Sequence, residues 1–286
     1  MKTYHSQLWA SCAVAGFFAL AQHTQAQGTN TNTNTTATQG TLGQVAPVSQ
    51  VYGHQVMGSD NQKIGNLNNL VVDLESGRIL YGVIADGNNR VAVPPELFTQ
   101  TLPSNNYLRL NATKQKVDGA PKFGPVDQPG KLGGAEFISQ VYSYFGQSPW
   151  WQGSTPANEG SFHNVHKSSQ LLGTKVEDVN NQALGEINNL AVDLPAGRVA
   201  VLTMAPASSF NLGNNVYPIP PQAFTLSQDQ KNLVSNLDAA KLASAPHFAK
   251  NNWPNFSDQN YVAQIYQYYG KQPWFGGSTG AQPTGR

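Results

Sequence analysis

IGNLNNLVVDLESGR, residues 64–78, returns as LGEINNLAVDLPAGR, residues 184–198, at a constant offset of 120. In the first stretch Leu70, Val72 and Leu74 alternate with Val71 and Asp73, and after Glu75-Ser76-Gly77 the pattern resumes as Ile79, Tyr81, Val83 and Ala85. Period-two alternation on both sides of a turn-forming triplet predicts a β-hairpin. Gly77 and Gly197 take the last place of a three-residue connection, where a left-handed residue follows a type I turn and glycine adopts it at no steric cost. Asp73 with Arg78, and Asp193 with Arg198, flank that turn, which permits either an ion pair or a carboxylate bond to turn amides.

Working outward, the repetition continues. Val93-Pro94-Pro95 with Phe98 matches Ile219-Pro220-Pro221 with Phe224, and Ala120-Pro121-Lys122-Phe123 matches Ala245-Pro246-His247-Phe248. QVYSYFGQSPWWQGST, residues 140–155, returns as QIYQYYGKQPWFGGST, residues 264–279. Ordered matches of this kind mark a duplicated unit, and the widening offset places an insertion of about six residues in the second copy, near residues 208–214, in a surface loop between two strands. Each copy continues with a short strand stopped by the Pro-Pro pair, a further strand at 107–110 or 232–236, and a short helix N-capped by Thr113 or Asp238. A longer helix follows. Tyr261, Ile265, Tyr268 and Tyr269, matched by Phe137, Val141, Tyr144 and Phe145, form an apolar stripe, and Gly270 or Gly146 is placed for a left-handed C-cap. The stripe covers the sheet or the other copy; the alternative is an exposed membrane or ligand face.

The ends of the chain read differently. Lys2 and His5 precede an apolar run, residues 8–21, too short to cross about 30 Å of hydrocarbon, which predicts a secretory signal peptide over 1–26, cleaved after Ala26 or after Ala21. Cys12 lies within it, so the mature chain has no thiol chemistry, disulfide or zinc–sulfur site; the lipoprotein alternative would make Cys12 the acylated residue, although Trp9 stands where a small aliphatic residue is expected. Residues 27–49, beginning with an Asn/Thr-rich tract, and the tail 279–286 read as disordered. With 17 Lys plus Arg against 16 Asp plus Glu, and Lys2 lost on cleavage, the mature chain is neutral, which argues against nucleic acid or a polybasic membrane grip as partner. Only 12% of residues are charged, about half the roughly 25% of ordinary soluble domains.

On the residues just quoted, the chain resembles the PRC-barrel domain, a small β-barrel. The likeness spans about 52–98 and 172–224, and the YG–PW ends are similar to extensions of exported bacterial PRC-barrel proteins. It implies a mainly β fold with α extensions: two tandem small barrels, each followed by a short and a longer helix, at 50–153 and 168–278, joined by a linker at 154–167. It implies a docking or structural module and no transferable catalytic residue or cofactor. The expectation is a non-catalytic exported binding or scaffold protein of the cell envelope, periplasmic or secreted, with a protein or other envelope component as partner and no transmembrane anchor after cleavage.

Several constellations bear on that expectation. Gly276-Gly277-Ser278-Thr279-Gly280 spells a nucleophile motif but lacks the preceding strand, the following helix and any later histidine. His163 and His166 have metal-ligand spacing but no further ligands, so no metal site is expected, and His247 reads as a surface residue. The aromatic pairs Trp150-Trp151 and Trp274-Phe275, each following a proline past the helix C-cap, with Trp253, either pack onto helix and sheet or stack a sugar ring, lipid or hydrophobic partner. A hydrolase with an unrecognised site is the remaining alternative.

Overall fold

The computed structural model describes residues 41–100, 106–122, 133–151, 162 and 164–275. The expected signal peptide with Cys12, the tract before residue 41, His163 and the 276–280 motif lie outside the described residues. The first half runs β1 (Val45–Pro47), β2 (Gln55–Met57), β3 (Lys63–Asp73), β4 (Arg78–Asp86), β5 (Asn89–Val93), β6 (Phe98–Gln100), β7 (Tyr107–Leu110), α1 (Lys114–Asp118) and α2 (Ala135–Tyr144). The second runs β8 (Val165–Lys167), α3 (Ser168–Leu171), β9 (Lys175–Glu177), β10 (Ala183–Asp193), β11 (Arg198–Pro206), β12 (Asn215–Ile219), β13 (Phe224–Leu226), β14 (Leu233–Ser235), α4 (Ala239–Ser244), β15 (Phe248–Ala249) and α5 (Gln259–Tyr268). The insertion falls between β11 and β12, where a 3-10 turn spans Ser208–Phe210.

The repeated motif forms the long hairpins β3–β4 and β10–β11. Asp73 pairs with Arg78 and Asp193 with Arg198, so the connection is four residues, not three: Leu74 and Leu194 join the turn, their side chains buried. Gly77 and Gly197 sit at φ +65° and +62°, the left-handed region. The motif's other glycines answer a different demand. A Cβ on Gly65 would lie 2.4 Å from the Ala85 carbonyl oxygen, and one on Gly185 2.1 Å from that of Ala205, so the strands cross closer there than any side chain allows. A bulge at Asn68, and another at Asn188, shifts the register and lets one asparagine of each doublet face solvent while Asn69 turns inward.

The halves are not two separate barrels. Their strands form one open path, β13-β14-β9-β10-β11-β4-β3-β2-β7-β6, and both lie in one compact unit, Thr38–Arg286. They also trade their leading strands. β1 pairs with β10 of the second half, Val45 opposite Asp193, and β8 pairs with β3 of the first, Val165 opposite Asp73. Thus part of the expected spacer, and the end of the expected linker, are strands: each supplies the hydrogen bonds that the outer side of the other half's hairpin lacks. Asn69 and Asn189 fasten the exchange. Asn69 Nδ2 donates to Ser169 Oγ (2.6 Å) and its Oδ1 accepts from Ser168 Oγ; Asn189 Nδ2 donates to Ser49 Oγ (2.8 Å) and its Oδ1 accepts the Ser49 amide. After each arm the chain returns to its own half through Gly53 (φ +74°) or Gly173 (φ +78°).

Packing follows the same logic. One continuous core joins residues of both halves, among them Val56, Leu67, Leu70 and Phe98 with Val176, Ile187, Leu190 and Phe224. The opposite face of each hairpin is covered by its own long helix: Val71, Leu80 and Val83 under α2, and Ala191, Ala200 and Val201 under α5. The helices present a face rotated from the expected stripe. Tyr268 stays exposed, whereas Val262, Ile265 and Tyr266, like Ile138, Val141 and Tyr142, are buried. Burial of the tyrosines is tolerated because each hydroxyl reaches a backbone acceptor, Tyr142 to the Leu80 oxygen (3.2 Å) and Tyr266 to that of Ala200 (3.0 Å).

Gly65→Ala is expected to cost about 1–3 kcal/mol through overpacking, and Asn69→Ala about 1–3 kcal/mol by orphaning the polar groups of the arm. Urea unfolding followed by circular dichroism checks both. With one core, fluorescence and circular dichroism should report coincident transitions.

Candidate functional site

The two hairpin turns meet at the seam between the halves, and the charged residues of the repeated motif converge there. β4 and β11 touch at a single antiparallel pair, Arg78 opposite Arg198, closed by the Ile79 amide on the Gly197 oxygen (2.9 Å) and the Val199 amide on the Gly77 oxygen (3.0 Å). Like charges directly opposite one another in a strand pair repel. Each guanidinium instead lies over an indole: Arg78 is 4.4 Å from the Trp150 ring centre and Arg198 4.9 Å from that of Trp274. Arg198 Nη1 also donates to the Ser76 oxygen of the other half's turn (3.1 Å).

Of the two arrangements the sequence permits, the carboxylate bond to turn amides is the one formed, because the arginines point across the seam and the aspartates point into their turns. Asp73 Oδ2 accepts the Ser76 amide (2.9 Å) and the Ser76 hydroxyl. Asp193 accepts the Ala196 amide (3.2 Å) and, through Oδ2, the Gly43 amide ahead of β1 (2.6 Å). Asp73 is 2% exposed and Asp193 fully buried, and burial raises both carboxyls above the ordinary range against those hydrogen bonds.

Each turn is roofed by the other half. The 3-10 turn Pro95–Leu97 lies over Gly197, with Glu96 Oε1 3.3 Å from where its Cβ would be, and Pro221–Ala223 lies over Gly77, with Gln222 Nε2 2.8 Å from the corresponding point. Glu96 is solvent-exposed on its outer side. Desolvation on the inner side raises its carboxyl, while Tyr142, Arg78 and Arg198 draw it down. Burial lowers the Arg78 guanidinium, opposed by Glu96; burial, then the charge of Arg78, push Arg198 down to about 10, so both stay charged at neutral pH.

Two of the aromatic residues singled out in the sequence, Trp150 and Trp274, stand at this seam. Trp150 and Trp151 are half-buried, with ring centres 4.3 Å apart, and Phe162 packs on both at 5.5 and 5.3 Å. Trp274 is half-buried against fully buried Phe275, which packs on Tyr266, while Trp253 sits apart with Phe248 and Phe256. The indole nitrogens of Trp253 and Trp274 are buried without a partner among the described residues. His166 lies in β8, its Nε2 2.9 Å from Asn164 Oδ1, and burial lowers its pKa.

Cavities among the described residues lie at the seam and away from it. One of about 370 Å³ lies beside Gly53, Gly65 and Asp86, one of about 200 Å³ beside Ile64, Asp86 and Lys114, and one of about 490 Å³ at the seam between Glu75, Asn164 and Gln222. Among the described residues no group of three or more His, Cys, Asp and Glu is placed to hold a metal, and no helix is long and apolar enough to cross a membrane.

Residues 44–116 match the PRC-barrel domain family. The PRC-barrel match begins just ahead of β1 and ends inside α1, so it takes in the leading arm as well as the hairpin. No curated protein matches the chain. Sequence reasoning missed Glu96, Asn69 and Asn189; the repetition of Asn-Asn-Leu in both copies was the available signal, but a polar doublet within a strand points to a bulge only once its partner is known.

Trp150→Ala and Arg78→Ala should each destabilise the fold, and a double-mutant cycle should return a coupling of about 0.5–2 kcal/mol. Because the folded Asp73 carboxyl titrates above its unfolded value, its contribution to stability falls as pH rises through the window above the ordinary carboxylate value. Asp73→Asn should flatten the stability profile over that window, read from thermal midpoints taken from the ordinary carboxylate value upward.

Proposed function

We propose that this chain is a non-catalytic, exported scaffold of the cell envelope built from two PRC-barrel-type modules, the second half being a second copy of the module matched in the first. The observation that carries this reading is the reciprocal arm exchange: β1 on β10 and β8 on β3 occupy equivalent registers at the offset of the sequence repeat. It is how two like modules lock into one body. The surroundings of the motif's charged groups support a structural rather than a chemical role. Arg78, Arg198, Asp73 and Asp193 are engaged by indoles, turn amides and a carbonyl of the chain itself.

The half-buried state of Trp150, Trp151 and Trp274, and the burial of Phe275, favour packing over sugar or lipid stacking for those side chains. Partner contact then falls to the exposed surface of the joined modules, and export to the leader at 1–26.

Fractionation of cells producing the untagged chain, with intact-mass measurement, tests export. A product beginning at Gln27 in the periplasmic or secreted fraction is expected; a cytoplasmic product retaining Met1 would overturn it. Trp150→Ala with Trp274→Ala should lower the thermal midpoint by several degrees. An unchanged midpoint together with lost binding to glycan arrays or lipid vesicles would instead favour the aromatic ligand site.

A further inference from the structure

The charges at the seam are unbalanced. Two arginines stand opposite each other in the β4–β11 pair, and Glu96, whose Oε1 lies 3.3 Å from the Cβ position of Gly197 next to Arg198, is a carboxylate whose charge acts on both. The matching position of the second half, two residues past Pro220, is Gln222, a neutral amide. The indoles of Trp150 and Trp274 supply quadrupoles to the two cations but no formal charge. A partly desolvated cation with half its counter-charge missing attracts an anion, and the planar fork of arginine suits an oxyanion better than a halide. The approach is open, since Glu96 is exposed and both arginines keep part of their surface in solvent.

We propose that the Arg78–Arg198 seam binds a small oxyanion, a carboxylate or phosphate group, as the counter-ion that Gln222 does not provide. The ligand lies against the two guanidiniums on the side of the second half's roof, where Glu96 has no counterpart. Its chemical class is set by the forks, and its source is a free anion or an acidic group on a partner of the scaffold. Binding would tighten the two halves, because each contributes one arginine.

The test uses the full mature chain and inorganic phosphate at constant ionic strength, with chloride making up the balance. The thermal midpoint should rise saturably with phosphate, by roughly 3–6 °C at about ten times the dissociation constant, and phosphorus NMR line broadening should saturate at the same concentrations. Glu96→Gln, which removes the competing carboxylate, should lower the half-saturating phosphate about tenfold. Gln222→Glu, which installs the missing charge, should raise the midpoint in chloride alone and abolish the phosphate response. Acetylated aspartate in place of phosphate separates a carboxylate preference from a phosphate one, saturable binding of either supporting the site. Equal midpoints in phosphate and chloride with no line broadening, or a response that persists in Gln222→Glu, would overturn it.

Discussion

A long two-stranded hairpin leaves one side of a strand without hydrogen-bond partners, and in this protein that deficit organises everything else. The backbone of Val71–Asp73 pairs with β4 on one side and would be bare on the other; the same is true of Ala191–Asp193 beside β11. Buried amides and carbonyls without partners cost as much as lost hydrogen bonds, so the edges must be covered. Each half lacks the means to do so itself and receives a three-residue arm from the other. A covered edge is also a protected one, since it offers no template for aggregation.

From that exchange follow the asparagine clasps, the glycine crossings and the seam. Once the arms are traded, the two turns face each other, and each is roofed by the Pro-Pro segment of the opposite half. The turn aspartates then have to stabilise buried amides, which keeps them from the arginines that follow five residues later. The arginines are left opposite one another, and their mutual repulsion is moderated by indoles that also seal the ends of the long helices. A single core running through both halves makes the arrangement cooperative.

How much of this was legible in the sequence can be argued residue by residue. The period-two alternation around Glu75-Ser76-Gly77 and the left-handed glycines give the hairpins, and the caps Thr113 and Asp238 accept the expected amides, from Lys116 and Lys241. The long helices were legible as helices but not in rotation: a stripe of aromatic residues marks several overlapping faces, and the choice of Tyr142 and Tyr266 as buried depends on carbonyls of Leu80 and Ala200 that lie some 60 residues away in sequence. Segments 45–49 and 165–167 read as spacer and linker because the tracts they end are poor in apolar residues. What makes them ordered is an edge supplied by distant strands.

The sequence by itself determined local matters: where the long hairpins and helices fall, where their turns lie, and that a stretch of residues recurs at an offset of 120, because alternation, caps and glycine positions act over a few residues. Only the tertiary structure decided how the two units meet, since pairing an arm with its own half or with the other uses the same backbone groups and differs only in where the chain can reach. It also decided that Arg78 and Arg198 confront each other over one carboxylate, because electrostatic partners are chosen by distance in space, to which residues 78, 96 and 198 give no clue in the order of the chain.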